Sequence, residues 1–159
     1  MLAIIGCGNP NRSDDGVGPH VIARLRSSNL PDGVELYDAG TDGMAVLYRI
    51  RGLSQLILID AKAPESAPGA IYEAPGELLE APQPNSFNLH DFRWDHALYA
   101  GRQIYRGEFP VEVKVFLIEA YSLDLGLELS PAVSKAADEV VRRIEELARA
   151  FACRDGAQP

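Results

Sequence analysis

The chain has 159 residues, of which 47% are hydrophobic and 24% are charged, a composition typical of one globular domain with a substantial core. Its 15 basic and 23 acidic residues give a formal net charge of −8, which disfavours binding to nucleic acid and to anionic membrane surfaces. No apolar run approaches the roughly 18 residues needed to span a bilayer.

Short apolar runs rich in Ile, Val, Leu, Tyr and Phe predict five strands, and apolar residues at helical spacing predict four helices. In chain order we expect strand Leu2–Gly6, a helix that opens at Asp14 and Asp15, strand Val34–Asp38, a helix over Asp42–Arg51, strand Leu56–Asp60, strand Ala70–Ala74, a helix over Asp91–Tyr105, strand Val111–Glu119, and a last helix with Ser130 as N-cap and Pro131 at its first position.

The alternation of strands and helices favours an α/β fold, with a mainly parallel sheet covered by helices on both faces. Five prolines within residues 64–84 interrupt the alternation and indicate a surface loop around a short edge strand. We expect a single domain over residues 1–153 and a disordered tail over residues 154–159.

Acidic residues follow the first three predicted strands. Asp14 and Asp15 come after the first, Asp38 ends the second and Asp60 ends the third. Since ligands of open α/β sheets collect beyond the carboxyl ends of the strands, these acids predict a site there that holds a cation or shared protons. Structural roles are the alternative: Asp14 or Asp15 could cap the first helix, and Asp38 could form an Asx turn.

Three histidines are candidates for an additional ligand. His90 lies where a loop meets the third predicted helix, whereas His96 is six residues further and cannot face the same site on one helix. His20 is expected to be a packing or surface residue. Two carboxylates and one imidazole would form a three-ligand set with open positions, for which nickel, zinc, iron and manganese are all chemically suitable.

Other catalytic motifs are missing from the sequence. It contains no G-x-S-x-G elbow, no H-E-x-x-H helix and no Walker loop, and Asn11 stands at the third glycine position of a dinucleotide fingerprint. Cys7 would need a nearby histidine to act as a nucleophile. The start MLAIIGCG has no positively charged n-region, so we expect no signal peptide, and we expect Cys7 and Cys153 to be free thiols in a reducing cytoplasm.

Several motifs together resemble one family. The segment GCGNPNRSDDGVGPHV resembles the G-x-G-N-x-x-x-x-D-[DE]-G-x-G signature of the hydrogenase maturation proteases, the endopeptidases that trim the large subunit of [NiFe] hydrogenases. DAGTDG, LILIDA, the HD pair at 90–91 and GLELSPAVSKAADEVV follow in the family's order over about residues 1–145. The resemblance implies a three-layer αβα sandwich around a twisted, mainly parallel five-stranded sheet, of the phosphorylase/hydrolase-like kind.

The resemblance also implies roles for individual residues. The family's metal ligands correspond to Asp15, Asp60 and His90, with His96 as a rival to His90. Asp15, Asp38 and Asp60 are the implied catalytic residues. Those implied to contact the substrate are Asn9, Asp38, Gly40 and Thr41.

The implied substrate is a [NiFe] hydrogenase large-subunit precursor that already holds nickel. The implied reaction releases a short C-terminal extension of that precursor. The precursor would supply the nickel, and zinc or another divalent ion could bind the isolated protein. We expect a cytoplasmic monomer without nucleic-acid or membrane partners.

Three alternatives remain at this stage. GCGNP at residues 6–10 also fits peptidyl-tRNA hydrolase, although the net charge of −8 opposes tRNA binding. A chaperone that senses the metal and holds the precursor without cutting it would use the same ligands. A nucleotide-binding α/β domain with incidental acids is the third.

Overall fold

Five strands form one sheet in the computed structural model, which describes residues 1–83, 88 and 91–155. The strands are β1 (Leu2–Cys7), β2 (Val34–Gly40), β3 (Gln55–Lys62), β4 (Ile71–Pro75) and β5 (Glu112–Glu119), in the order β2-β1-β3-β5-β4. All neighbours pair in parallel except β4, which runs antiparallel to β5 at the edge. The predicted α/β class, five strands and mainly parallel sheet are confirmed.

Helices cover both faces of this sheet. They are α1 (Val17–Leu25), α2 (Gly43–Arg49), α3 (Trp94–Tyr105) and α4 (Pro131–Asp155), with 3₁₀ turns at Ser13–Gly16, Gly76–Leu78 and Arg106–Glu108. Alternate residues of each strand point to opposite faces. On β1, for example, Ile4 packs in the core beneath α1 and α4, whereas Ile5 packs in the core beneath α2 and α3. None of the helices in the described ranges is long and apolar enough to cross a membrane.

Two helices begin two or three residues later than the sequence predicts. Asp14 and Asp15 lie in the 3₁₀ turn Ser13–Gly16, and α1 starts at Val17. The helix predicted from Asp91 starts at Trp94, because Arg93 is extended with φ −99° and ψ 177°. At the other end of the chain α4 continues through Asp155, two residues into the predicted tail, and residues 156–159 lie outside the described part.

The strand β1 and the helix α1 approach each other so closely that only glycine fits between them. A Cβ atom on Gly6 would lie 2.4 Å from the carbonyl oxygen of Gly18, and one on Gly18 would lie 2.2 Å from that of Cys7. Both distances are far inside van der Waals contact. These two glycines therefore set the spacing between the strand and the helix, and with it the course of the turn that carries Asp14 and Asp15.

Candidate active site

A cavity of about 200 Å³ lies beyond the carboxyl ends of β1, β2 and β3. Because parallel strands end at the same edge of a sheet, residues far apart in sequence meet there. The described residues that line it are Cys7, Gly8, Asp15, Gly40, Thr41, Asp42, Gly43, Val46, Asp60, Arg93 and Trp94.

Asp15 reaches this cavity from the 3₁₀ turn that follows β1. Its Oδ2 accepts a hydrogen bond of 2.9 Å from the backbone N–H of Asn9, which fixes the half-buried carboxylate over the turn. Gly8, with φ +122°, lies against the backbone of Asp15, because a Cβ there would be 1.8 Å from the Asp15 carbonyl oxygen. That same Cβ position is 3.4 Å from Asp60 Oδ1, so Gly8 lies close to both the Asp15 backbone and the Asp60 carboxylate.

Asp60 is the buried acid of the site, with 4% of its surface exposed. Its Oδ2 accepts hydrogen bonds from Trp94 Nε1 at 2.7 Å and from Arg93 Nη2 at 3.2 Å, and its Oδ1 accepts one from the N–H of Ala61 at 2.8 Å. Burial, with a smaller contribution from the charge of Asp15, raises the pKa of Asp60 to about 6 against the opposing effects of Trp94, Arg93 and the Ala61 N–H. This carboxyl group can therefore change protonation near neutral pH.

Cys7 lines the same cavity from the end of β1. Its side chain is 4% exposed, and burial, followed by the negative charge of Asp60, raises the pKa of its thiol well above the ordinary value. A thiol that is protonated at neutral pH is a poor nucleophile. Cys7 therefore does not have the environment of a catalytic cysteine.

Asp38 is not among the described residues that line the cavity. It is exposed, and its Oδ1 accepts a hydrogen bond of 3.0 Å from the N–H of Gly40, the Asx-type contact that the sequence alternative describes. Gly40 and Thr41 line the cavity, whereas Asn9 borders it through its backbone bond to Asp15 and turns its side-chain oxygen to the N–H of Asn11.

The described histidines have structural partners. His96 is 9% exposed, and its Nδ1 accepts a hydrogen bond of 3.1 Å from the N–H of Arg93 at the start of α3. His20 Nε2 lies 3.3 Å from the carbonyl oxygen of Leu127. His90, the predicted third metal ligand, lies outside the described residues. Over residues 1–83, 88 and 91–155, no group of three His, Cys, Asp or Glu side chains is placed to hold a metal ion.

Asp14 and Asp15 have separate roles, and neither caps α1, whose N-cap is Gly16. Asp14 is fully buried and accepts four hydrogen bonds, from the N–H groups of Tyr121, Ser122 and Ser130 and from the Ser130 hydroxyl. It thereby ties the segment between β5 and α4 to the turn that carries Asp15.

Arg93 and Trp94 were not singled out from the sequence as cavity residues, and Asp42 was expected as the start of a helix. Arg93 and Trp94 bind Asp60 across 33 and 34 residues of sequence, and Asp42 caps α2 by accepting from the N–H groups of Met44 and Ala45. Only the position of Arg93 and Trp94 just after the candidate ligand His90 could have drawn attention to them. Since Asp42 Oδ1 is engaged at the helix end, Asp15 and Asp60 remain the acids of the cavity without a capping role.

Comparison with known proteins agrees with the sequence resemblance. Residues 19–147 match the family model HycI, described as hydrogenase maturation protease. The hydrogenase 2 maturation protease of Escherichia coli is 28% identical over 145 residues, which span 90% of this chain and 87% of that protein. A protein of Methanocaldococcus jannaschii that is provisionally named a hydrogenase maturation protease is 35% identical over 92 residues, 57% of this chain and 60% of that one.

A solved structure shows the same fold. The hydrogenase maturating endopeptidase HybD from E. coli superimposes with a TM-score of 0.79 and 25% identity, and the match covers 95% of this chain and 93% of that one. Sequence and structural similarity therefore lead to the same group of proteins.

Proposed function

The chain belongs to the hydrogenase maturation protease family, and on that premise we propose that it is an endopeptidase that removes a C-terminal extension from the nickel-loaded large-subunit precursor of a [NiFe] hydrogenase. The family match decides against the peptidyl-tRNA hydrolase and nucleotide-binding alternatives. The observation that carries the proposal is that Asp15 and Asp60 line one cavity at the carboxyl edge of the sheet.

The donor set suits the metal of such a precursor. Asp15 and Asp60 offer carboxylate oxygens on the same cavity, and Asp60 Oδ1 has one described hydrogen bond, so it keeps an acceptor position. Nickel accepts oxygen and nitrogen ligands, and two carboxylates facing one space need a positive charge between them. Asp15 and Asp60 would hold the precursor at its metal, with His90 proposed as the third ligand.

Anchoring the metal would place the scissile peptide bond beside the cavity. Proximity of this kind lowers the barrier, because the translational and rotational freedom of the peptide is lost on binding rather than in the reaction. Gly40 and Thr41 form the cavity wall that the peptide would contact, and Asp38 lies next to them on the exposed side. A metal-free precursor would bring no cation for Asp15 and Asp60 to bind, so trimming would follow metal insertion.

A processing assay tests this function. The purified protein is mixed with a large-subunit precursor, with and without inserted nickel, and the mass of the product is measured. The proposal expects a nickel-dependent loss of a short C-terminal peptide. Nickel-dependent binding without cleavage would show the chaperone instead.

Single substitutions test the assignment of the residues. Asp15→Ala, Asp60→Ala and His90→Ala should each abolish processing while the fold is kept. Asp138→Ala is the control, because Asp138 is an exposed acid on α4 that pairs with Arg24 away from the cavity. Processing by all three variants at the rate of the control would overturn the assignment.

A further inference from the structure

Arg93 places a positive charge inside the candidate active site. Its guanidinium donates to Asp60 Oδ2 at 3.2 Å, and the side chain of Arg93 is 61% exposed while that of Asp60 is 6% exposed. Among the residues that the structure describes, Arg93 is the only basic side chain lining the cavity. Arg93 thus supplies one positive charge next to Asp60 in the free protein.

The backbone of Arg93 is fixed, whereas its side chain is not. The Arg93 N–H donates to His96 Nδ1 at 3.1 Å, and its carbonyl oxygen accepts from the N–H of Ala97 at 2.9 Å. The same carbonyl packs against Gly43, where a Cβ would lie 2.7 Å away. The guanidinium has one described bond, to Asp60, and is largely in solvent, so it can leave Asp60 without any movement of α3.

Trp94 holds Asp60 independently of Arg93. Its Nε1 donates to the same Oδ2 at 2.7 Å from the buried side, and Trp94 itself is 7% exposed. Asp60 would therefore keep its orientation if the guanidinium moved away. The pair provides one permanent donor and one exchangeable donor on a single carboxylate oxygen.

A metal ion and the Arg93 guanidinium cannot both lie beside Asp60 Oδ2 without a large cost in electrostatic free energy. Two positive charges a few ångströms apart repel each other, and both would use the negative charge of the same carboxylate. An aqueous ion that binds here must displace Arg93 and give up part of its own hydration shell. A metal ion held by a precursor faces the same displacement, but it is accompanied by the polypeptide contacts of the precursor, which offset that cost.

We propose that Arg93 is a specificity-determining residue that neutralises Asp60 in the free enzyme, excludes aqueous divalent ions from the cavity, and yields only to a metal ion presented by the precursor. This rests on the proposed function for the identity of the substrate. The exclusion of free ions by Arg93 can be measured in the isolated protein and does not need cleavage.

The tryptophan beside Asp60 is a built-in reporter, because Trp94 is the only tryptophan of the chain. Ni²⁺ is paramagnetic and quenches an indole next to its binding site, so Trp94 fluorescence follows Ni²⁺ binding at Asp60. The experiment titrates tag-free protein with Ni²⁺ and compares wild type with Arg93→Gln, which removes the charge. We expect Arg93→Gln to bind Ni²⁺ about tenfold more tightly or better.

Arg51→Gln is the matched control. Arg51 also binds a carboxylate, that of Glu108, at an exposed position, and its replacement changes the net charge by the same amount. Its Ni²⁺ affinity should stay within about twofold of wild type, since charges far from the cavity are screened. Arg93→Lys keeps the charge and should resemble wild type more than Arg93→Gln.

Two outcomes would overturn the proposal. One is an Arg93→Gln variant with wild-type or weaker Ni²⁺ affinity, and the other is a gain that persists in Arg93→Gln/Asp60→Asn, which would place the ion elsewhere. When a precursor that the enzyme cleaves is used as substrate, added Ni²⁺ should inhibit its cleavage by Arg93→Gln at lower concentrations than its cleavage by wild type. If no precursor is cleaved, the proposed function fails, but the titration still decides the role of Arg93.

Discussion

The carboxylates of Asp14 and Asp15 are adjacent in sequence and belong to opposite sides of one 3₁₀ turn. Asp14 is fully buried and faces the segment that leads into α4, where it accepts four hydrogen bonds. Asp15 faces the cavity and accepts one bond, from the N–H of Asn9. The first acid stabilises the fold at the place where the second faces the cavity.

Replacing each of these acids by asparagine should separate stability from activity. Asp14→Asn replaces one acceptor oxygen by an amide NH₂ group, which cannot accept the hydrogen bonds that Asp14 receives. The free energy of unfolding should fall by about 2–4 kcal/mol. Asp15→Asn keeps an oxygen for Asn9, so its stability should stay within about 1 kcal/mol of wild type while processing is lost. Urea denaturation and the processing assay measure the two effects. Equal loss of stability in both variants would contradict the division of roles.

The buried charge of Asp60 should make the stability of the metal-free protein depend on pH. The pKa of Asp60 is about 6 in the folded state and 3.8 in the reference state, so between these values the folded state binds more protons than the unfolded one. Stability must therefore fall as the pH rises from about 4 to about 6. Relative to Asp60→Asn, wild type should lose about 2 kcal/mol between pH 4 and pH 7.

The measurement is urea denaturation at several pH values in the presence of a chelator. Asp138→Asn is the control, because Asp138 is exposed and its side chain is 74% accessible. A pH dependence that wild type shares with Asp138→Asn but not with Asp60→Asn is due to Asp60. If the free energy of unfolding depends on pH in the same way for wild type and Asp60→Asn, burial does not raise the pKa of Asp60.

His96 should prove to be a structural residue. His96→Ala removes the acceptor of the Arg93 N–H and should lower the free energy of unfolding by about 1 kcal/mol, while processing is largely kept. His96→Gln should recover part of the stability, since glutamine at this helix position can accept the same bond. Denaturation midpoints and processing rates check this. If His96→Ala is as damaging to processing as His90→Ala, the assignment of His90 as the ligand is wrong.

The two free cysteines should differ in reactivity. Cys153 is exposed, whereas Cys7 is buried and burial raises the pKa of its thiol. Iodoacetamide at neutral pH should therefore add one group to the folded protein, on Cys153, and two groups in urea. Peptide mass spectrometry locates the adducts. Cys153→Ser should remain unmodified while folded, and an adduct on its Cys7 would show that the cavity opens to reagents.

Local patterns were enough to predict the architecture. The apolar runs that end in Asp38 and Asp60 became strands because few other conformations bury such runs, and the parallel order then brought their ends to one edge. Asp15 and Asp60 were placed in one site by that argument, and the cavity contains both. The sequence could also describe Asp38 as an Asx turn, because that contact spans two residues.

Contacts between residues far apart in the chain could not be predicted from the sequence. Two adjacent acids have the same local propensities, so nothing near Asp14 indicates that its partners are Tyr121, Ser122 and Ser130. The late start of α3 has a similar origin. The side chain of His96 accepts a hydrogen bond from the N–H of Arg93, and α3 begins at the next residue, Trp94. Hydrophobic periodicity alone extends the predicted helix back to Asp91.

The close approach of Gly6 and Gly18 has a consequence for counting such enzymes in genomes. The glycines of the motif record how tightly a strand and a helix pack, and they would be retained by a descendant that had lost all chemistry. Under the proposed function, the carboxylates of Asp15 and Asp60 are the groups on which activity depends. A survey that scores glycines alone would therefore count inactive paralogues as processing enzymes, and one that also requires the two acids would separate them.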